Sequence, residues 1–370
     1  MHPDWRAFLE AQGARIDADG AARFAPASAP APTPASALGQ GAPAGADALT
    51  DLSHLGIIRA SGADAIKFLQ GQVSNDLREL SATHSQLSSH CSAKGRMLAI
   101  FRMLRVGEDL LMVLPRVQME TLLKRLRMFV LRSEVSLADA SDELVCLGLL
   151  LRAADNGAGQ QAAGTVAVAL AERFNPLPAT ANAMLQVGAA SLIRVAGEQP
   201  RYLFVGPADS AQTLWEAVAG AGAERADADA WALADIRAGL PTVLPATSDT
   251  FVPQMANLHL VDGLSFHKGC YAGQEVVARM QYLGKLKRRM YMAEVECVQP
   301  PQPGDPLAAP GSQSEQVPGR IVDARPIGPG RYALLAVAEI AMAEGGELRL
   351  GEDGPVLALQ PPPYGFPAEV

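Results

Sequence analysis

Cysteine is scarce in this chain, and none of it is spaced as a pair. Cys91, Cys146, Cys270 and Cys297 are the four residues, without a C-x-x-C among them. That excludes a disulfide scaffold and fits a reducing compartment. Positive charge is not in surplus either. A formal net charge of −8 leaves no global nucleic-acid footprint, so charge is informative only locally. Long apolar runs are missing: the longest clear one, 144–151, is far too short to span a bilayer. The opening Met-His-Pro-Asp-Trp-Arg has no basic n-region and no apolar h-region, so no signal peptide is expected. These absences together predict a soluble, cytoplasmic protein without a membrane partner.

What is present suffices for real cores. The 370 residues suggest two or three domains, and 49% of them are hydrophobic. Helical spacing of Trp5, Phe8, Leu9 and Gln12 predicts a short amphipathic helix over 4–16. The stretch 25–48 is rich in Ala, Pro and Gly, cannot bury a core, and is expected to be a disordered linker. Its Gly39-x-Gly41-x-x-x-Gly45 is no phosphate loop, because no strand precedes it and prolines interrupt it. Strands are expected at 57–59, 110–114, 144–151, 165–170, 191–195 and 202–205, and on either side of a hairpin turn at Lys94-Gly95-Arg96. Helices are expected at 62–69, 117–130, 210–219 and 229–238. Strands interleaved with one or two helices point to antiparallel α+β layers. The strand-like segments 290–298, 319–324 and 332–340 read as a small all-β unit.

The chemistry centres on 266–289, F-H-K-G-C-Y-A-G-Q-E-V-V-A-R-M-Q-Y-L-G-K-L-K-R-R. Cys270 sits between Gly269 and Gly273, which let the backbone turn where a side chain would clash. Lys268 beside a thiol would raise its thiolate fraction, and His267 is within sequence reach as a base. Three roles are open on residue chemistry: nucleophile, transient ligand of a metal or cluster, or inert small hydrophobe. The other cysteines lack ligand spacing, which argues against a stably held metal.

The string Lys268-Gly269-Cys270-Tyr271-x-Gly273-Gln274-Glu275 resembles the K-G-C-Y-x-G-Q-E signature of the YgfZ family, folate-binding proteins related to the glycine-cleavage T-protein, an aminomethyltransferase. The flanks agree: Phe251-x-Pro253-Gln254 and Asn257-Leu258 before it, Ala278-Arg279 and Tyr282-x-Gly284 after it. So does Gly62-x-Asp64-Ala65-x-x-Phe68-Leu69-Gln70-Gly71-Gln72-x-Ser74-Asn75-Asp76. The resemblance runs from about residue 49 to the C-terminus. It implies a three-domain α+β T-protein-like fold, with two antiparallel-sheet domains and a C-terminal β-barrel. The divisions would be 49–137 plus 228–289 for a discontinuous folate-binding domain, 138–227 for the second and 290–370 for the barrel, with 1–48 as helix and linker.

The resemblance further implies a tetrahydrofolate-binding protein that supports assembly or repair of iron-sulfur client proteins, tRNA-modifying enzymes among them, with Cys270 essential. Two departures separate the chain from the transferase. The acidic G-x-x-x-D-D slots after Gly95 are filled by Ala99 and Ile100, which have no titratable proton. The R-x-E-x-G element has its best match in Asp235-x-Arg237-x-Gly239, with a cation in place of the glutamate. A one-carbon transferase is therefore the alternative, and a tRNA-binding module the second alternative. Local charge motivates the latter. Between Lys94 and Arg132 nine Lys/Arg face three acids, and 279–289 adds five more without an acid. A groove of that sign would attract a folate's glutamate tail or RNA. Lys94, Arg96 and Arg279 are candidates for the tail, Asn75 and Arg237 for the pterin.

Overall fold

A computed structural model describes residues 1–18, 20–24, 46–152, 164–282, 284–310 and 317–367. Helix α1 (Pro3–Ala11) is followed by a hairpin of β1 (Ala14–Ile16) and β2 (Ala22–Phe24). Next come β3 (Ala48–Asp51), β4 (Leu55–Ser61), α2 (Ala65–Gln70), β5 (Gln86–Cys91), β6 (Met97–Val106), β7 (Asp109–Pro115), α3 (Arg116–Val130) and β8 (Ser136–Asp139). The middle of the chain forms β9 (Leu144–Leu150), α4 (Thr165–Arg173), β10 (Met184–Val187), β11 (Ala190–Val195), β12 (Arg201–Pro207), α5 (Ala208–Gly220), β13 (Glu224–Ala226) and α6 (Ala228–Arg237). The last part holds α7 (Gln274–Tyr282), β14 (Arg288–Glu296), β15 (Pro306–Ala308), β16 (Gly319–Gly328), β17 (Arg331–Glu339), α8 (Ile340–Gly345) and β18 (Arg349–Leu350).

Three larger sheets result. The first has the order β5-β6-β7-β4-β8, the second β10-β11-β12-β9-β3-β13, and the third β14-β17-β16-β15-β18. All pairings are antiparallel except β13 with β3. The third sheet curls. Gln360 exchanges both backbone hydrogen bonds with Met292 on β14, and Leu357 donates to Leu348 beside β18, so the tail bridges the two edges. β3 and β4 are separated by three residues yet enter different sheets, which places the crossover between the first two sheets at 52–54.

Period-two alternation decides which core each strand feeds. Ile57, Ile100, Leu104 and Val113 of the first sheet join Cys146, Ile193 and Val205 of the second, Trp231 and Ile236 of α6, and Val322 and Leu335 of the third in one shared core. Their neighbours face outward to other layers. Ile58, Phe101 and Met112 pack under α2 and α3, and Leu147 and Phe204 pack under α1, α4 and α5. The three sheets are thus welded by a common interior.

Two expectations change. The segment 165–170 is helix, not strand. Val166 and Leu170, four residues apart, are buried, while Val168, which completed the strand-like alternation, is exposed. The first helix stops at Ala11 rather than running to 16, because the chain reverses at Gly13 with φ +88° and continues as β1. Most of the expected linker, 25–45, lies outside the described residues. Among the described residues no helix is long and apolar enough to cross a membrane.

Candidate functional site

The signature loop is built on the end of α2. That helix stops at Gly71, leaving carbonyls without intrahelical partners. Lys268, only 5% exposed, reaches across with its ammonium. Its Nζ donates to the carbonyls of Gln70 (2.8 Å), Val73 (2.5 Å) and Asn75 (2.9 Å). An ammonium has three donors, so the set is saturated. Its charge also lies 5.0 Å from the Tyr271 ring centroid. Burial pulls the lysine pKa down from its ordinary value to about 8, with Arg78 adding to the fall and Asp76 opposing it.

The turn 72–76 is tied to the stretch before Lys268 at several points. Ser74 Oγ donates to the Gly263 carbonyl (3.0 Å), and Ser265 N–H to the Ser74 carbonyl (3.1 Å). Asn75 Nδ2 donates to the carbonyls of Leu87 (2.9 Å) and Asp262 (2.6 Å), while its Oδ1 accepts from Asp76 N–H (2.9 Å). The Asn75 amide is thus engaged within the chain. Tyr271, Val277 and Leu264 form a small buried cluster under the loop, flanked by Phe266.

The hairpin joining β5 and β6 closes the site from the other side. Gly95 has φ +70° and Gly273 has φ +80°. A Cβ on Gly273 would lie 2.4 Å from the Ser92 carbonyl oxygen and 2.8 Å from Gly95 Cα; one on Gly95 would strike Val276. Only glycine at both positions lets the two backbones touch. Lys94 and Arg96 are therefore exposed at the start of α7, with Arg96 Nη1 donating to the Asp249 carbonyl (3.3 Å). Gln254, from the upstream flank, donates Nε2 to the Val277 carbonyl inside α7 (2.7 Å).

Against this anchored frame Cys270 is exposed. Gly269 before it is exposed too, and a Cβ there would meet nothing. His267 is exposed, and among the described residues its ring makes no bond to the thiol. Lys268 is a correction to the sequence reading: its charge is turned into the carbonyl cage of the α2 end, not held free beside the sulfur. Gln274 opens α7, and Glu275 pairs with Arg279 at 3.0 Å on its exposed face. Arg237 is exposed at the end of α6.

The hairpin that carries Lys94 and Arg96 abuts the start of α7, yet only part of the positive charge in 94–132 faces water. Arg102 is buried, donating to Ser85 Oγ (3.0 Å) and Asn182 Oδ1 (2.7 Å), and burial lowers its pKa to about 10. Arg127 donates to the Leu137 carbonyl and Arg125 to His90 Nε2. Ala99 and Ile100 are buried on opposite faces of β6, so no carboxylate stands in either transferase slot. Sequence reasoning did not find Arg201, which is 1% exposed, pairs with Asp235 (2.7 Å) and lies 4.9 Å from the Trp231 ring. The only pointer to it was Asp235 itself, two residues before Arg237.

No family model matches the chain. A "tRNA-modifying protein YgfZ" of Yersinia pseudotuberculosis is 34% identical over 300 residues, covering 81% of this chain and 87% of that protein. A protein of the same description from Colwellia psychrerythraea is 34% identical over 239 residues, 65% of this chain and 69% of its own. Among solved structures, the glycine cleavage system aminomethyltransferase T of Bartonella henselae matches with a TM-score of 0.64, at 19% identity, over 85% of this chain and 84% of that one. The α+β fold is therefore that of the aminomethyltransferase.

Proposed function

The chain belongs to the YgfZ family, and from that premise we propose a tetrahydrofolate-binding protein that supports assembly or repair of iron-sulfur proteins, with Cys270 as the working thiol. The observation that carries the reading is the contrast within the signature loop. Lys268, Tyr271 and Val277 are buried and Gly273 is pinned to the hairpin, while the sulfur between them is presented to solvent. An exposed thiol on a braced loop suits exchange with a client's sulfur or transient ligation of its cluster. The relatives' name ties them to tRNA modification; in this reading the tie runs through clients that modify tRNA with an iron-sulfur cluster. The cytoplasm is where such clients work.

A folate is a polar pterin joined to an anionic tail. Buried acceptors with no hydrogen-bond partner among the described residues, Gln254 Oε1 and Asn257 Oδ1, fit the amino and N–H groups of a pterin. Exposed Lys94, Arg96 and Arg279 suit the tail, and Arg237 the pterin side. Asn75, whose amide is engaged, serves by shaping the turn. Aminomethyl transfer is disfavoured because Ala99 and Ile100 cannot move a proton. A tRNA-binding module is disfavoured because Arg102, Arg125 and Arg127 are turned onto partners inside the chain.

One experiment separates these readings. Cys270→Ala should bind tetrahydrofolate triglutamate by calorimetry as the wild type does, with affinity falling as salt rises. It should lose the ability to restore a cluster-dependent tRNA-thiolating enzyme in cells lacking the wild-type protein. Full restoration by the alanine variant, or no saturable folate binding by either protein, overturns the proposal.

A further inference from the structure

The C-terminal tail does more than close the third sheet. Past Gln360, which pairs with Met292, the chain runs through Pro361-Pro362-Pro363 and turns back at Gly365, whose N–H donates to the Pro362 carbonyl at 2.8 Å. Phe366 packs edge-on against Tyr291 of β14, with ring centroids 5.3 Å apart, and the Arg289 guanidinium lies 4.5 Å from its ring centroid. The prolines and this anchor restrict the segment to one course. That course carries the Tyr364 phenol off the third sheet, to bridge the end of α6 and the loop that holds Gln254 and Asn257.

Gly239, two residues beyond Arg237, is the seat. It has φ +67°, and a Cβ there would lie 2.6 Å from Pro362 Cβ and 2.8 Å from Tyr364 Cε1. The glycine of the Asp235-x-Arg237-x-Gly239 element therefore answers both to its own backbone and to the tail. Tyr364 Oη donates to the Gly239 carbonyl at 3.0 Å. A phenol has one proton, so toward Asn257 it only accepts, and Asn257 Nδ2 donates to it at 3.1 Å. The other Nδ2 proton goes to the Met290 carbonyl at 2.8 Å. Both amide protons are spent, and Oδ1 is left buried with no partner among the described residues. A reversed amide would set its oxygen against the Met290 carbonyl and against a phenol with no proton to offer. Asn257 itself is 1% exposed, with a left-handed backbone at φ 57° and ψ 21°.

We propose that Tyr364 is a positioning residue for the pterin side of the folate site: through Asn257 it presents a fixed acceptor, Oδ1, to a donor on the bound ring. The inference rests on the folate reading above and deepens it. Packing alone would need only the aromatic ring, which phenylalanine would supply. The hydroxyl is what reaches Gly239 and Asn257 together. A buried acceptor held in one orientation favours a ligand edge that brings a donor, and is left unpaired by an edge that does not.

The test is calorimetry of the full-length protein with tetrahydrofolate monoglutamate and triglutamate. Tyr364→Phe keeps the ring in its seat and removes the hydroxyl. It should weaken both ligands by about tenfold, the value of one well-placed hydrogen bond, and leave the ratio of the two affinities unchanged. Asn257→Gly suits the left-handed backbone and removes the amide. In that background Tyr364→Phe should weaken binding no further, yet still lower the melting temperature, because the Gly239 carbonyl loses its donor. A merely structural tyrosine would move affinity and melting together. The proposal is overturned if Tyr364→Phe binds both ligands as the wild type does, if the ratio shifts, or if the two losses of affinity add. Should Asn257→Gly not fold, the first two outcomes still decide. No saturable binding by the wild type would instead overturn the folate reading, and this inference with it.

Discussion

Cys146 sits in the middle of β9, with Leu147 and Leu149 on one side of the strand and the shared core of the three sheets on the other; Cys270 sits two residues from a buried lysine and is open to water. In β9 the sulfur is packed in the shared core, and burial, with the nearby Asp51 charge adding to it, pushes the thiol above its ordinary range. Cys91 is treated the same way, raised to about 12 by burial. In the signature loop the ammonium of Lys268 goes inside and Cys270 stays out. Burying an ammonium is unfavourable unless every donor finds an acceptor. The three carbonyls at the end of α2 satisfy that condition, and the loop they stabilise is the one that exposes Cys270. The difference is one of backbone placement, since the side chain is the same.

The comparison is broken most directly by chemistry at the sulfurs. Iodoacetamide should alkylate native Cys270 on the order of a thousandfold faster than Cys91 or Cys146, which react only through local opening. Mass spectrometry of partly labelled protein reads the ratio; comparable labelling of Cys146 would mean that the two environments are not distinct. A second cut removes the cage's guest. Lys268→Met leaves three buried carbonyls unpaired and should destabilise the fold by about 2–4 kcal/mol, whereas Cys270→Ala should stay within about 0.5 kcal/mol of wild type. Urea melts of both variants check this, and equal stabilities would show the cage to be idle.

The smallest effect concerns pH. The Lys268 pKa is about 8 when folded, against 10.5 as the ordinary value. The unfolded chain therefore holds more protons between these limits, and the contribution rises with pH across that window. It is fully present above the upper value and lost as pH falls through the lower. The stability gap between wild type and Lys268→Met should widen as pH rises from about 8 toward 10.5. A gap that stays constant or narrows would mean that burial does not depress this lysine.

Much of the frame was legible because it rests on local rules. The apolar run at 144–151, the helix expected at 117–130, and the turn at Lys94-Gly95-Arg96 between strands all carried into the structure. Where a local rule was ambiguous it failed, as at Val166-Ala167-Val168, whose alternation fits both periods until α5 is there to bury one face. The site was legible as a string but not as an arrangement. Adjacency made Lys268 look like a partner for the thiol. Its real partners are carbonyls nearly two hundred positions upstream, and backbone carbonyls leave no mark in a sequence. Gly273 read correctly as a turn, but its need for glycine comes as much from Ser92 and Gly95 as from its own φ. Tyr364 gave no signal, because a tyrosine in a proline-rich tail looks ordinary until its partners are known.

The meeting of Gly95 and Gly273 also fixes an order of events during synthesis. Between them in the chain lie α3, β8 and all but one strand of the second sheet. A ribosome adding 5–20 residues per second takes roughly ten to forty seconds to cover that distance. For that interval the hairpin and the end of α2 wait with their surfaces open, and the Gly273 and Lys268 that will rest there have not yet been made. Lys268 and Gly273 thus follow their contact surfaces in synthesis, and a nascent chain stalled before the signature loop carries α2 and Gly95 without Cys270.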